Sequence, residues 1–154
     1  MNPPDRDTLA HPGPLLLVPG AVLLPEGPAD GWAVLVDDGR FEAVAPAAEL
    51  ERAHPLPRTV RLPGHLLMPG FVDAHHHLTQ SFGSALAFGE PSEIFRRVWV
   101  PLEGALDEES AYTAAKLAAL EALRGGFTTV ADAGTRADVD VDVIASAARD
   151  AGIR

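Results

Sequence analysis

The sequence predicts an α/β chain in two parts, a small β-rich part followed by alternating strands and helices. Residues 14 to about 66 contain short apolar runs separated by turn signals, which is typical of an antiparallel β unit. From residue 67 onward the order is strand, loop, helix, strand, helix. That βαβα order predicts a parallel sheet with right-handed crossovers. We therefore divide the chain at residues 66 and 67.

Short apolar runs supply the strands of the first part. The Asp38-Gly39 pair separates two of them and predicts a hairpin, because both residues tolerate positive φ. Pro19-Gly20 is expected to be a turn, and Ala47–Ala53 is expected to form one short helical segment. The runs cover residues 15–18, 21–24, 32–36, 41–45 and 59–62.

Longer elements are predicted in the second part. A nearly continuous apolar run ends at Val72 and indicates a strand buried on both faces, although Pro69-Gly70 interrupts it. Asp107 and Ser110 are candidate caps of the first long helix, which Gly125-Gly126 would end. Two strands cannot close a barrel, so we expect an incomplete part of a larger α/β unit. The strands are expected at residues 66–72 and 127–131, and the helices at 110–124 and 141–151.

Composition disfavours several classes of function. The formal charge is −10, from 22 acidic and 12 basic side chains. Such a surface repels phosphate backbones and anionic lipid, so we expect no nucleic-acid and no membrane partner. The absence of cysteine excludes disulfides, thiolate zinc sites and cysteine nucleophiles. The N-terminus carries no basic segment followed by an apolar core, which predicts a cytoplasmic protein.

Three consecutive histidines follow the apolar strand of the second part. Because side chains alternate along a strand, Asp73, His75 and His77 are expected on one face and His76 on the other. Residues i and i+2 lie roughly 6.5–7 Å apart at Cα, so both imidazoles can reach one metal ion. On spacing alone a surface cluster is the commoner explanation, and the buried strand before it favours ligands. Asp73 can support an imidazole or the nearby backbone by a hydrogen bond.

The run Pro-Gly-Phe-Val-Asp-Ala-His-His-His over residues 69–77 resembles the first barrel strand of the amidohydrolase superfamily. The signature of that strand is Pro-Gly-Phe-[Val/Ile]-Asp-x-His-x-His. The resemblance implies a β-sandwich-like subdomain over residues 1–66 and the N-terminal portion of an incomplete TIM (β/α)₈ barrel over residues 67–154. Segments 34–44, 99–103 and 121–132 extend it, the last two toward the branch of cytosine, guanine and adenosine-type deaminases and triazine hydrolases.

The resemblance also implies a chemistry. His75 and His77 would bind one divalent metal, Zn²⁺ or Fe²⁺, whose bound water attacks an sp² carbon of a small-molecule substrate. His76 would be structural, and Gln80 would lie near the substrate, although a polar loop residue without a role is nearly as common. Asp132 would help to fix the site or cap a turn.

Several parts of such a site are not found in this sequence. The resemblance implies two further histidines, an aspartate and a proton-shuttling glutamate on later strands, so the catalytic residues are unassigned. The remainder of the barrel would be supplied in cis or by a partner chain, and the complete protein could form a homo-oligomer.

Three hypotheses about function follow. The first is a metal-dependent aminohydrolase that deaminates an amino-substituted N-heterocycle. The second is a non-catalytic fragment or interaction subunit. The third is a cyclic-amide hydrolase of the dihydropyrimidinase or imidazolonepropionase type, which shares the first strand and differs in later ones.

Overall fold

The structure is a computed structural model that describes residues 13–55, 58–89 and 93–154. It consists of two compact units, Met1–Pro69 and Gly70–Arg154. Residues 1–12 of the predicted first domain lie outside the described residues, and the domain boundary at residues 66 and 67 stays a prediction. Within the described part, no helix is both long and apolar enough to cross a membrane.

The first unit is a five-stranded sheet with one short helix. Its elements are β1 (Leu15–Leu24), β2 (Gly27–Asp30), β3 (Trp32–Asp37), β4 (Arg40–Pro46), helix α1 (Ala47–Ala53) and β5 (Arg58–Leu67). Strands β1 to β4 follow the order β2-β1-β3-β4 in the sheet, and β5 pairs with β1.

Strand β5 corrects the expectation of a purely antiparallel unit. Leu15 to Pro19 of β1 pair in parallel with Arg58 to Leu62 of β5. The other pairs in the sheet are antiparallel. Parallel pairing needs a long connection, and strands β2 to β4 with α1 supply one. A sequence pattern does not reveal such a distant pairing.

Pro19-Gly20 also differs from its prediction, because β1 continues through it instead of turning. The ladder with β5 is irregular between Pro19 and Ala21, which accommodates the proline within the strand. A Cβ added to Gly20 would lie 2.4 Å from the carbonyl oxygen of Pro63. The glycine therefore permits a close backbone approach rather than a turn.

The hairpin and the short helix of the first unit are confirmed. Asp38 and Gly39 have φ of 45° and 70°, the positive values of a type I′ turn. Helix α1 covers the predicted residues, and its Leu50 is buried in a cluster with Leu16, Ala33 and Leu35.

The second unit contains two parallel strands and the helices that follow them, as the sequence predicts. Its regular elements are β6 (Phe71–His76), α2 (Ser84–Ala87), α3 (Val100–Gly104), α4 (Glu108–Arg124), β7 (Phe127–Asp132) and α5 (Val141–Ala151). A 3₁₀ helix covers Leu78–Gly83, and a π-helical turn covers Phe95–Trp99.

Helices α4 and α5 build the core of this unit. The buried face of α4 consists of alanines, which let α5 approach closely, and Ile144 and Ala147 of α5 are buried against it. Phe127 and Val130 of β7 pack on these helices, and so does Leu78. The buried α4 residues are Ala111, Ala114, Ala115, Ala118, Ala119 and Ala122.

Strand β6 is less buried than the sequence predicted. Phe71 is 50% exposed and Val72 is 64% exposed, whereas burial on both faces was expected. Among the described residues β7 is the only strand that pairs with β6. The prediction assumed a complete parallel sheet with both faces covered, whereas the described residues of the second unit contain two strands.

Gly70, which precedes β6, is packed against β7. A Cβ at this position would lie 2.2 Å from Cγ2 of Thr128. We expect Gly70→Ala to lower the free energy of unfolding by about 1–3 kcal/mol, because overpacking forces the neighbours to move. Urea unfolding of the variant measures this loss. Gly104→Ala is the matched control, since its added Cβ meets nothing within 4 Å; equal losses in both variants would contradict the packing argument.

The cap of helix α4 predicts a pH dependence of stability. Asp107 accepts a hydrogen bond from the Ser110 amide at 2.9 Å, and hydrogen bonds from Ser110 hold its pKa below the ordinary value. The ionised carboxylate therefore stabilises the helix above the unfolded-state pKa of about 3.9, and this contribution is lost as pH falls through the folded-state pKa. We expect Asp107→Asn to unfold with a shallower pH dependence than wild type below about pH 4. Parallel acid titrations followed by circular dichroism would reveal identical curves if the cap is irrelevant.

Candidate metal centre at the end of strand β6

The candidate residues lie where the two parallel strands end. His75 and His76 close β6, His77 follows directly, and Asp132 closes β7. The pairing runs from Asp73 with Val130 to His76 with Asp132, so β6 has one more residue than β7 across this interval. Such a bulge bends a strand and redirects its side chains, and bulges are common beside active sites.

The rings of His75 and His77 lie together. Their centroids are 5.2 Å apart and their planes meet at 80°, an edge-on arrangement. His75 is exposed and His77 is half-buried. Both rings are thus close enough for one nitrogen of each to approach a shared ion, and one of them remains open to solvent.

The second imidazole is oriented by the loop that follows β7. Nδ1 of His77 lies 2.9 Å from the carbonyl oxygen of Gly134. A carbonyl oxygen only accepts, so Nδ1 carries the proton and donates it. The lone pair then resides on Nε2, which is the protonation state that a metal ligand requires.

Asp73 contacts the backbone of one neighbour and the ring of another. Its Oδ2 lies 2.8 Å from Nδ1 of His76, and its Oδ1 accepts the His75 amide at 3.1 Å. The His76 bond first, and then the amide bond, lower the pKa of Asp73. A regular strand would separate Asp73 from His76, and the bulge between them brings the two side chains together.

The segment after His77 is anchored to the end of β7. The Leu78 amide donates to Oδ1 of Asp132 at 3.0 Å, which gives Asp132 a positioning contact. The hydroxyls of Thr79 and Thr135 are hydrogen-bonded to each other at 2.9 Å, and the backbone amide of Gln80 donates to the His77 carbonyl at 3.0 Å.

Glu103 is a residue of this region to which the sequence assigned no role. Its side chain is 0% exposed. Its oxygens accept from the Thr79 hydroxyl at 3.3 Å and from Nε2 of Gln80 at 3.1 Å. They also accept from the amide and Nη1 of Arg136 at 3.3 and 3.1 Å. An acidic residue at the end of the apolar run 98–102 was the available signal, since carboxylates are rarely buried unless paired.

The predicted substrate residue Gln80 belongs to this network. It is half-buried and its amide group donates to Glu103. Its role toward a substrate stays a prediction.

The donor set fits a divalent metal in kind and is incomplete in number. Two imidazoles with an available Nε2 on His77 suit Zn²⁺ or Fe²⁺. Across residues 13–55, 58–89 and 93–154, no group of three or more potential metal ligands lies together. Catalytic zinc sites use three protein ligands and keep one position open. His75 and His77 would therefore account for only part of such a site.

Comparison with known proteins identifies relatives of this chain. The curated 5-methylthioadenosine/S-adenosylhomocysteine deaminase of Syntrophobacter fumaroxidans is 35% identical over 144 residues, which are 91% of this chain and 32% of that protein. The 5′-deoxyadenosine deaminase of Methanopyrus kandleri is 31% identical over 91% of this chain and 32% of its own length. The chain thus spans about a third of the curated relatives that it matches.

Solved structures share the fold. An adenosine deaminase from Xanthomonas campestris with bound zinc superposes with a TM-score of 0.80 at 32% identity, covering 93% of this chain and 33% of that one. A triazine hydrolase from Arthrobacter aurescens has a TM-score of 0.67 at 23% identity, covering 92% and 34%, and this likeness concerns the fold alone. The predicted fold class, part of a TIM-barrel hydrolase with a preceding β subdomain, is confirmed.

Two family models match the chain. Residues 33–55 match an imidazolonepropionase-like composite domain of bacteria. Residues 66–154, more than half of the chain, match the amidohydrolase family. That match begins just before the strand that carries the paired histidines, and the predicted superfamily is confirmed: this chain belongs to the amidohydrolase family.

Proposed function

We propose that this chain supplies the first metal-binding strand of a hydrolase that deaminates an amino-substituted N-heterocycle. The observation that carries the proposal is the ring pair of His75 and His77, with Nδ1 of His77 bonded to Gly134. Deaminase relatives of this chain support the reaction class. Overall, water adds to the ring carbon that bears the amino group, and ammonia leaves.

His75 and His77 would hold one divalent metal ion. Zn²⁺ is the first candidate, because a similar adenosine deaminase contains zinc, and Fe²⁺ is the alternative that imidazole also suits. When bound, such an ion makes hydroxide available near neutral pH by lowering the pKa of its water. The chain's own contribution is to orient the His77 imidazole and to keep its Nε2 free for the metal.

Two further residues have proposed roles. Asp73 stabilises the end of β6, because it is hydrogen-bonded to the backbone amide of His75 and to the ring of His76. Gln80 lies near the substrate, three residues beyond His77, with its amide fixed by Glu103. A side-chain amide that is already fixed can form hydrogen bonds with the donors and acceptors of a heterocycle without losing rotamer entropy on binding.

The complete site would need the rest of the barrel, in cis or as a partner chain. The backbone of Arg154 already bonds to β7, donating to Thr128 at 3.0 Å and accepting from Val130 at 2.8 Å. This is the pattern of a parallel strand pair. A third strand beside β7 would continue the sheet, and the exposed Phe71 and Val72 would be covered within a barrel.

A ring-opening hydrolase is the second candidate. The match of residues 33–55 to an imidazolonepropionase-like domain favours it. The two reactions differ in product, since deamination releases ammonia and ring opening does not. An ammonia assay on substrates of both kinds, with the barrel complete, separates them.

The metal assignment can be tested on the 154-residue chain. We expect added Zn²⁺ to shift the imidazole nitrogen signals of His75 and His77 in ¹H–¹⁵N spectra. The affinity would be modest, because only two ligands are present. His54 and His65 of the first unit serve as internal controls and should not move. Equal shifts at all the histidines, or none, would contradict the assignment.

A further inference from the structure

We propose that Arg136 is a positioning residue for the metal-binding segment, residues 77–80, and acts through the buried carboxylate of Glu103. The role rests on the proposed function, because the segment that it orders carries His77. Arg136 lies in the loop after β7, and Glu103 is the penultimate residue of helix α3. Neither residue contacts the histidine rings directly among the described hydrogen bonds.

The carboxylate of Glu103 joins the 3₁₀ helix after β6 to the loop after β7 with its two oxygens. Oε1 accepts from Thr79 and Gln80, which follow β6. Oε2 accepts from the amide and Nη1 of Arg136, which follows β7. One buried group therefore connects the 3₁₀ helix to the loop after β7.

Arg136 is the partner that permits this burial. A fully buried carboxylate without a positive partner is costly, and Nη1 of Arg136 lies 3.1 Å from it. The guanidinium also lies over the ring of Phe95, 4.1 Å from its centroid, and this stacking fixes the plane of the guanidinium group. The arginine itself is 45% exposed, so its charge remains partly hydrated.

The connection from this pair to the metal ligand is short. Thr79 and Gln80 are the second and third residues after His77, and the backbone amide of Gln80 donates to the His77 carbonyl. On the other side, Gly134 orients the His77 ring and lies two residues before Arg136. Loosening the Arg136–Glu103 pair would therefore loosen the backbone of His77 and the carbonyl that orients its ring. Loss of a group that orients a metal ligand costs roughly 10–100-fold in metal affinity.

Arg136→Met tests the role by two measurements on the whole chain. We expect backbone amides of Leu78 and Gln80 to exchange with solvent roughly tenfold faster or more, while amides in the middle of α4 keep their rates. We expect Zn²⁺ affinity, measured by the shifts of His75 and His77, to fall by roughly 10–100-fold. Arg136→Lys keeps the positive charge but lacks the planar guanidinium group, so it should recover part of both losses. Arg149→Met, which removes an arginine from α5, is the matched control and should change neither.

The outcomes separate this role from the metal assignment. Unchanged exchange and unchanged zinc affinity in Arg136→Met would overturn the positioning role, even if His77→Ala loses zinc. If wild type itself binds no zinc, the proposed function fails, and amide exchange still decides whether Arg136 orders the segment. If Arg136→Met does not fold, the exchange experiment uses the double variant Glu103→Gln with Arg136→Met, which lacks the buried charge. Exchange at Leu78 and Gln80 as slow as in wild type in that double variant would overturn the role.

Discussion

Replacing His77 with alanine is expected to abolish zinc binding and hydrolysis once the barrel is complete. A suitable protein is a chimera in which this chain replaces the matching segment of the Syntrophobacter fumaroxidans deaminase, which is 35% identical. Removal of a direct ligand should lower activity by more than the roughly 100-fold that loss of an outer partner costs. Ammonia release and zinc content per chain measure the two effects, and His75→Ala should behave in the same way.

His76→Ala is the matched control within the same run of histidines. Its Nδ1 is occupied by Asp73, and we assign it no metal contact. Activity should stay within roughly tenfold of the unmodified chimera, with zinc still bound. Thermal unfolding of each variant distinguishes loss of a ligand from loss of the fold. Full activity in His77→Ala, or loss of zinc only in His76→Ala, would refute the ligand assignment.

Local elements were predictable because their signals lie within a few residues. The positive φ of Asp38 and Gly39 follows from residue types that tolerate it, and the hairpin formed where expected. Helix α5 covers its predicted residues and ends at Gly152, whose φ is 90°. The parallel pairing of β1 with β5 was not predicted, because it joins residues that are distant in sequence. Apolar runs alone do not specify the direction of a partner strand.

In the candidate site, too, features set by neighbouring residues were predictable and features set by distant contacts were not. The adjacent rings of His75 and His77 agree with the predicted alternation, although their ligand role stays a prediction. The contact of Asp73 with His76 departs from that alternation, which placed the two side chains on opposite faces. The bulge that joins Asp73 to His76 depends on pairing with β7, so the sequence of β6 alone does not contain it. Glu103 and Arg136 are 33 residues apart, and only the packing of helix α3 against the loop after β7 brings them together.

Arg136→Met is expected to destabilise the second unit more than Glu103→Gln does, although both break the same ion pair. Without Arg136 the carboxylate of Glu103, which is 0% exposed, lacks its positive partner, and such a loss costs about 3–5 kcal/mol. Without the Glu103 charge the guanidinium, which is 45% exposed, can turn toward water. The cost of Glu103→Gln is then about 1–3 kcal/mol, for donors that lose an acceptor. Urea unfolding of both variants measures the difference.

The double variant tests the reason for this asymmetry. If the unpaired buried charge is what destabilises Arg136→Met, Glu103→Gln in the same chain should recover part of the loss, so the two costs would not add. Simple additivity would mean that the two residues stabilise the fold independently. It would also remove the electrostatic basis for coupling between the loop after β7 and the segment after His77. A larger loss in Glu103→Gln than in Arg136→Met would reverse the argument, since the carboxylate would then matter for its bonds to Thr79 and Gln80 rather than for its charge.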